Sequence, residues 1–207
     1  MPLSELLPIL IGWVIAIASP GPATLALSGT AMEGGRGPGL ALAMGIVTGS
    51  AVWALIAGMG LGAVMMSHDW AVGLLRYAGA GYLAWLAFKS ARAALRPGAA
   101  VARAAGAESL RHAWARGALI HLTNPKAVLF WGAMFAVVVP PDAPGWVLWQ
   151  VGLSCLATST LTMTLLALGF SARPVAAAYL RLRRWFDGVF ALLFGLAALK
   201  VLTARLV

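Results

Sequence analysis

The chain has 207 residues, 61% of them hydrophobic and only 10% charged, with a formal net charge of +9. A soluble domain carries about 25% charged residues and roughly 45–50% apolar ones, so this composition excludes an ordinary soluble enzyme or nucleic-acid-binding protein. It indicates helical membrane spans, because the apolar runs exceed the ~18 residues a span needs and lack the ~10-residue alternation of a β-barrel.

Six helices are predicted, at about 5–31, 39–66, 71–94, 116–139, 145–170 and 185–204. No Lys or Arg precedes the first, whose only early charge is Glu5. A cleavable signal needs a positive leader, so Ala16-Ile17-Ala18 reads as part of a retained span and not as a cleavage box. Within this span lies "SPGPATLAL", residues 19–27. Pro20 and Pro22 cannot donate a backbone hydrogen bond and clash with the turn before them, and Gly21 loosens the chain further. The span is therefore expected to be broken, with Ser19 capping a helix that starts at Pro20. Beyond it, Gly34, Gly35 and Pro38 mark a connector. Glu33 beside Arg36 is a gate candidate, weighed against an ordinary solvated charge.

In the second span, Gly45 and Gly49 form the G-x-x-x-G spacing of close helix packing, and Gly58, Gly60 and Gly62 allow a bend. Thr24, Thr48 and Ser50 offer hydroxyls that either line a cavity or bond to neighbouring carbonyls. After the third span the connector 96–115, opening "RPGAAVARAAGAESLRHA", reads as a solvated linker.

The fourth span holds a second break, "TNPKAVLFW", residues 123–131. Asn124 is expected to cap a helix whose first residue is Pro125. Lys126 follows, and an ionisable group within a span marks function unless it snorkels to the interface. It can hold a carboxylate or exchange a proton. His121, five residues earlier, falls on a different face of a continuous helix and is a weaker proton-coupling candidate.

Pro140, Pro141 and Pro144 introduce the fifth span, where Ser154 sits in "GLSCL". In the sixth, Asp187 is the carboxylate inside a span. It is a third proton-coupling candidate, although its spacing from Arg183 and Arg184 equally permits helix ion pairs. Trp70, Trp146 and Trp185 lie near span ends, as interfacial anchors do. The single cysteine, Cys155, excludes an intrachain disulfide, a CxxC redox pair and a cysteine-rich metal site.

Basic residues set the orientation. One side collects Arg36, then Lys89, Arg92, Arg96, Arg103, Arg111 and Arg116, then Arg173, Arg181, Arg183 and Arg184; the other has Arg76, Lys200 and Arg205. The richer side belongs in the cytoplasm, which puts both termini in the periplasm and the 96–115 connector inside. The halves also match weakly at a nearly constant offset: Ser19-Pro20 with Asn124-Pro125, Pro38-Gly39 with Pro144-Gly145, Gly45 with Gly152, Arg76-Tyr77 with Arg184-Trp185. Three spans per half make the second enter from the opposite face, as in inverted-repeat transporters. The expected fold is an all-α integral membrane protein of six transmembrane helices, arranged as two inverted three-helix repeats, 1–95 and 116–207, with helices 1 and 4 broken.

In hydrocarbon, irregular backbone persists only where it is buried in protein or lines a polar cavity. Helix starts offer N–H donors and partial positive charge to anions. At ~1.5 Å per residue, Ser19 lies about 21 Å from the outer start of span one and Asn124 about 12 Å from the inner start of span four. In a core ~30 Å thick the two breaks can meet.

Three stretches resemble the LysE/RhtB family of amino-acid exporters: "SPGPATLALSGTAMEGGRGPGLALAMGIVTGS" (19–50), "RYAGAGYLAWLAFKSAR" (76–92) and "WARGALIHLTNPKAVLFWGAMF" (114–135). The resemblance implies six transmembrane helices in a bacterial inner membrane and export of small amino acids or related metabolites, driven by the proton gradient. By match to its motifs, Pro20, Gly21 and Pro22 and Asn124, Pro125 and Lys126 carry over as substrate-binding positions, to which the two-break reading adds Ser19 and Thr24. The family's aromatic-rich stretch after "NPK" is replaced here by "AVVVPPDAP", so the outer mouth departs from the pattern. No cofactor or metal is expected. The expected partners are a small-molecule cargo and the bilayer, without nucleic acid, and a homo-oligomer is compatible with the pattern. The competing readings are a non-transporting assembly factor and an intramembrane hydrolase built on Ser154 and His121, which shows only half of a nucleophile-elbow pattern. No phosphate-binding nucleotide loop occurs, so transport energy would come from a gradient.

Overall fold

A computed structural model describes residues 1–19, 21–67, 69–95, 109–139 and 143–203. Pro20, most of the expected linker (96–108), Pro140, Pro141 and Arg205 lie outside the described residues. These form eight helices: α1 (Leu3–Ala18), α2 (Pro22–Gly34), α3 (Arg36–Ser67), α4 (Asp69–Leu95), α5 (Leu110–Leu122), α6 (Pro125–Val138), α7 (Gly145–Phe170) and α8 (Arg173–Thr203). Among the described residues, Arg36–Gly60 and Gly145–Phe170 are each long and apolar enough to cross a membrane, and α1 with α2, bent by 64°, makes a third if the pair is one span.

The helix limits follow local chemistry. Only Gly35 separates α2 from α3, and its φ of +78° is a left-handed turn that glycine adopts without strain. Its N–H closes α2 on the Ala31 carbonyl. Two helices begin earlier than apolar periodicity predicts. α5 starts at Leu110 because the Ser109 hydroxyl accepts the His112 N–H at 3.2 Å, an N-cap inside what reads as linker. α8 starts at Arg173, with Pro174 in its first turn where no N–H is missed. Its first three turns are rich in Ala, Leu and Arg, which favour helix, and the arginines lower the local hydropathy.

Small residues bring α3 and α5 together. A Cβ on Gly45 would lie 1.9 Å from the Trp114 carbonyl oxygen, and one on Gly117 would lie 2.2 Å from that of Leu42. The two backbones touch, as the Gly45/Gly49 spacing predicts. α4 packs chiefly on α8, and α3 also packs on α7.

The interior is organised as two apolar clusters. Ala23, Leu27, Leu42, Ile46, Ala113 and Met163 join α2, α3, α5 and α7. Leu6, Trp13, Trp131, Phe135, Val151 and Cys155 join α1, α6 and α7. Outside, large apolar side chains face away from the protein: Leu153, Leu161 and Leu165 on α7, and Leu192, Leu196 and Leu199 on α8. The buried stripe of α7 includes Ser159. An outer face of large apolar side chains departs from the polar outer face of a soluble helix and suits a lipid surround.

Candidate functional site

Both predicted breaks are present, and they meet. At the first, α1 ends at Ala18, and Ser19 is its C-cap, with its N–H on the Ile15 carbonyl. The Ser19 hydroxyl donates to the Ala16 carbonyl at 2.6 Å. This corrects the expectation that Ser19 caps the following helix. α2 restarts only at Pro22, with Gly21 as an extended N-cap that has no side chain to contribute. Ser19 therefore satisfies a carbonyl that α1 leaves open. Thr24 reaches back across the break, donating to the Ser19 carbonyl at 3.0 Å.

The second break behaves as predicted. α5 ends at Leu122, and the Asn124 side-chain oxygen accepts the Lys126 N–H at 3.1 Å, capping α6 with Pro125 in its first turn. Proline's missing donor costs nothing there, because that N–H has no partner within the helix.

Lys126 links the two breaks. Its Nζ donates to the Ser19 hydroxyl and lies 5.6 Å from the centre of the Phe194 ring, within cation–π range. The side chain is 8% exposed, so it runs into the protein and does not snorkel outward. A Cβ on Gly21 would sit 3.8 Å from Nζ. A side chain at position 21 would therefore lie against the ammonium.

A cavity of about 50 Å³ opens beside this junction, lined by Gly21, Thr24, Asn124 and Lys126 from the breaks and by Ser50 from α3. It lies between the two apolar clusters, with Ala23, Ile46 and Met163 from one and Trp13 and Trp131 from the other. Trp13 and Trp131 meet edge to face at 4.5 Å. Each is pinned by its indole N–H, Trp13 to the Ser159 hydroxyl at 2.8 Å and Trp131 to that of Ser50 at 3.0 Å. Trp13, Trp131 and Ser159 escape a sequence reading that assigns tryptophans to membrane interfaces. The available signal is that both tryptophans lie well inside their helices.

His121 also lines the cavity. The expectation that it and Lys126 occupy different faces holds only for a continuous helix; the break at Thr123-Asn124 re-aims α6 and puts both on one wall. The His121 Nδ1 is buried with no hydrogen-bond partner among the described residues.

Other candidates lie elsewhere. Asp187 is buried on α8 but does not line the cavity. It precedes Phe194 by two helical turns and so shares its face. Glu33 is exposed at the end of α2, near the place where Arg116 of α5 donates to the Thr30 hydroxyl at 2.8 Å. Thr48 is exposed and donates to the Met44 carbonyl. Ser154 is not in the cavity wall with His121, so the hydrolase pairing finds no shared site.

The LysE type translocator family model matches residues 14–205. The chain is 28% identical to the threonine efflux protein of Escherichia coli (strain K12), over 93% of this chain and 94% of that one. It is 32% identical to the homoserine/homoserine lactone efflux protein of Salmonella typhimurium, over 61% and 60% of the two chains. It is 42% identical to the chemotactic transduction protein ChpE of Pseudomonas aeruginosa, over 50% and 49%. No solved structure matches. The match to the translocator model covers both helix breaks, the lysine that follows the second and most of the remaining chain, so the protein belongs to the LysE type translocator family.

Proposed function

We propose that the protein is a secondary exporter, carrying small amino acids or related metabolites out of the cytoplasm across a bacterial inner membrane while protons move inward. One observation carries this reading: Lys126, beside the capped start of α6, reaches Ser19 at the first break and borders a small, mostly apolar cavity. A buried ammonium next to helix-start N–H groups suits the carboxylate of a cargo. The efflux activities named for two relatives support the direction of transport.

In this reading α1 and α2 are one broken span and α5 and α6 another, so that α3 and α4 correspond to α7 and α8. The packing supports an inverted repeat. α3 lies on its counterpart α7 and α4 on α8, while the contact of α3 with α6 is matched by that of α7 with α2. A pseudo-two-fold axis in the membrane plane produces such pairs, and rocking of one three-helix unit (1–95) against the other (116–207) would give alternating access. Both termini are assigned to the periplasm and the connector 96–115 to the cytoplasm. Lys126, Asp187 and His121 are the candidates for proton coupling, and Glu33 with the Arg116–Thr30 contact is the candidate cytoplasmic gate.

Purified protein reconstituted in vesicles, screened against amino acids with and without a pH gradient, tests the proposal. Gradient-dependent movement that Lys126→Ala abolishes and Asp187→Asn slows supports it; movement unchanged in both variants removes the site assignment.

A further inference from the structure

An amino acid presents two charges, and Lys126 accounts for one of them. The cargo's ammonium needs an acceptor, and no carboxylate among the described residues lines the cavity. The chain has 6 Asp and Glu residues. Glu5, Glu33 and Asp187 do not line the cavity. Asp69 opens α4, and Glu108 and Asp142 lie outside the described residues. More than ~20 Å of helix α3 lies between Ser50 and the start of α4.

Several neutral acceptors in the wall already take a hydrogen bond from the protein. The Asn124 oxygen accepts the Lys126 N–H. Ser50 accepts from Trp131. Ser159 accepts from Trp13 and donates to the Cys155 carbonyl. Thr24 gives its proton to the Ser19 carbonyl and keeps an oxygen that can accept beside His121. His121 differs: it lines the cavity, and its Nδ1 is buried with no partner among the described residues. Its position is fixed by packing, since a Cβ on Gly49 would lie 3.0 Å from the His121 Cβ. A buried polar atom without a partner is uncommon in a folded protein and is often completed by a bound group.

We propose that His121 Nδ1 receives the α-ammonium of a cargo whose carboxylate is held at Lys126, so that the site selects small zwitterions with uncharged side chains and rejects dibasic ones. The inference rests on the transport reading above and adds to it the charge class of the cargo and a specificity-determining residue. A second cationic group on the cargo would enter a cavity that already holds an ammonium and that no carboxylate of the described residues lines. Desolvating such a group without a counter-charge is strongly unfavourable. A neutral imidazole nitrogen is sufficient for one ammonium whose own carboxylate travels with it.

The test uses proteoliposomes and the amino acid that moves fastest in a screen of the common twenty. Its labelled movement is challenged with unlabelled lysine and with the 2-hydroxy acid that replaces its amine by a hydroxyl. The account expects weak competition from both. It expects His121→Leu to weaken the preference for the amino acid over the hydroxy acid about tenfold, the loss typical of one hydrogen bond to a charged group, while His121→Gln, which retains an acceptor, keeps most of it. Lysine moving or competing as well as the best neutral amino acid overturns the inference and leaves transport standing. So does a hydroxy acid that competes equally in the wild type. Movement of no amino acid at all overturns the transport reading and this inference with it. The wild-type panel decides the charge class even if His121→Leu fails to fold.

Discussion

The Lys126 ammonium donates to the hydroxyl of Ser19, a residue 107 positions earlier in the chain and at the opposite helix break. One contact thus ties together the two places where the spans are interrupted. Neither residue is neutral for stability. Burying an ammonium is costly unless its donors are used, and Ser19, fully buried, already spends its own proton on the Ala16 carbonyl.

Lys126→Met is therefore expected to separate function from stability. It removes a buried charge and keeps an apolar chain of similar length. Thermal unfolding in detergent should show stability unchanged or raised, since replacing a buried ion by a packed hydrophobe is often neutral or favourable. Transport should fall by about 10- to 100-fold, the loss expected for hydrogen bonds to a charged group. A variant that unfolds early yet transports normally contradicts the assignment.

Ser19→Ala removes the acceptor but leaves the charge. It is expected to destabilise the protein by ~1–3 kcal/mol, the cost of a buried polar group losing a partner. In the Lys126→Met background the same change should cost less, because the group it served is gone. Equal costs in both backgrounds would show that the contact carries no coupling.

The crossing of α3 and α5 gives a steric prediction. Gly45→Ala and Gly117→Ala each place a methyl group within 2.2 Å of a backbone oxygen on the other helix. Each should destabilise by ~1–3 kcal/mol or more, because backbone cannot step aside as a flexible side chain can. Gly81→Ala on α4 meets nothing within 4 Å and should be neutral or stabilising by up to ~1 kcal/mol. Melting temperatures of the three variants compare these directly.

How much of this the sequence discloses depends on how local the cause is. The Asn124 cap and the Pro125 start are legible because three adjacent residues determine them. Ser19 is misread by the same rule: whether a serine closes one helix or opens the next depends on where the chain resumes, and it resumes at Pro22. Helical periodicity separates His121 from Lys126, and it stops applying at the break between them. The bonds from Trp13 to Ser159 and from Trp131 to Ser50 join residues 146 and 81 positions apart, so no local pattern announces them. The starts of α5 and α8 are missed for another reason: a hydropathy window registers oil, whereas a helix continues wherever caps and propensity allow.

Those tryptophan bonds yield a fourth prediction. Trp13→Phe and Ser159→Ala, alone and together, should show a coupling of ~1 kcal/mol in unfolding experiments, the net value of one buried hydrogen bond. Each single change is also expected to alter which cargo side chains are accepted, because both residues line the cavity. A coupling of zero with an unchanged cargo profile would refute the role given to this pair.

The central claim is that the Lys126 ammonium, where the two breaks meet, receives the carboxylate of the cargo. The most direct measurement is competition in proteoliposomes between the best-transported amino acid and its carboxamide, which keeps the size and the ammonium but lacks the negative charge. The account predicts that the carboxamide competes weakly against the wild-type protein and that Lys126→Met erases the difference between the two. A carboxamide that competes as well as the parent amino acid in the wild type would contradict it.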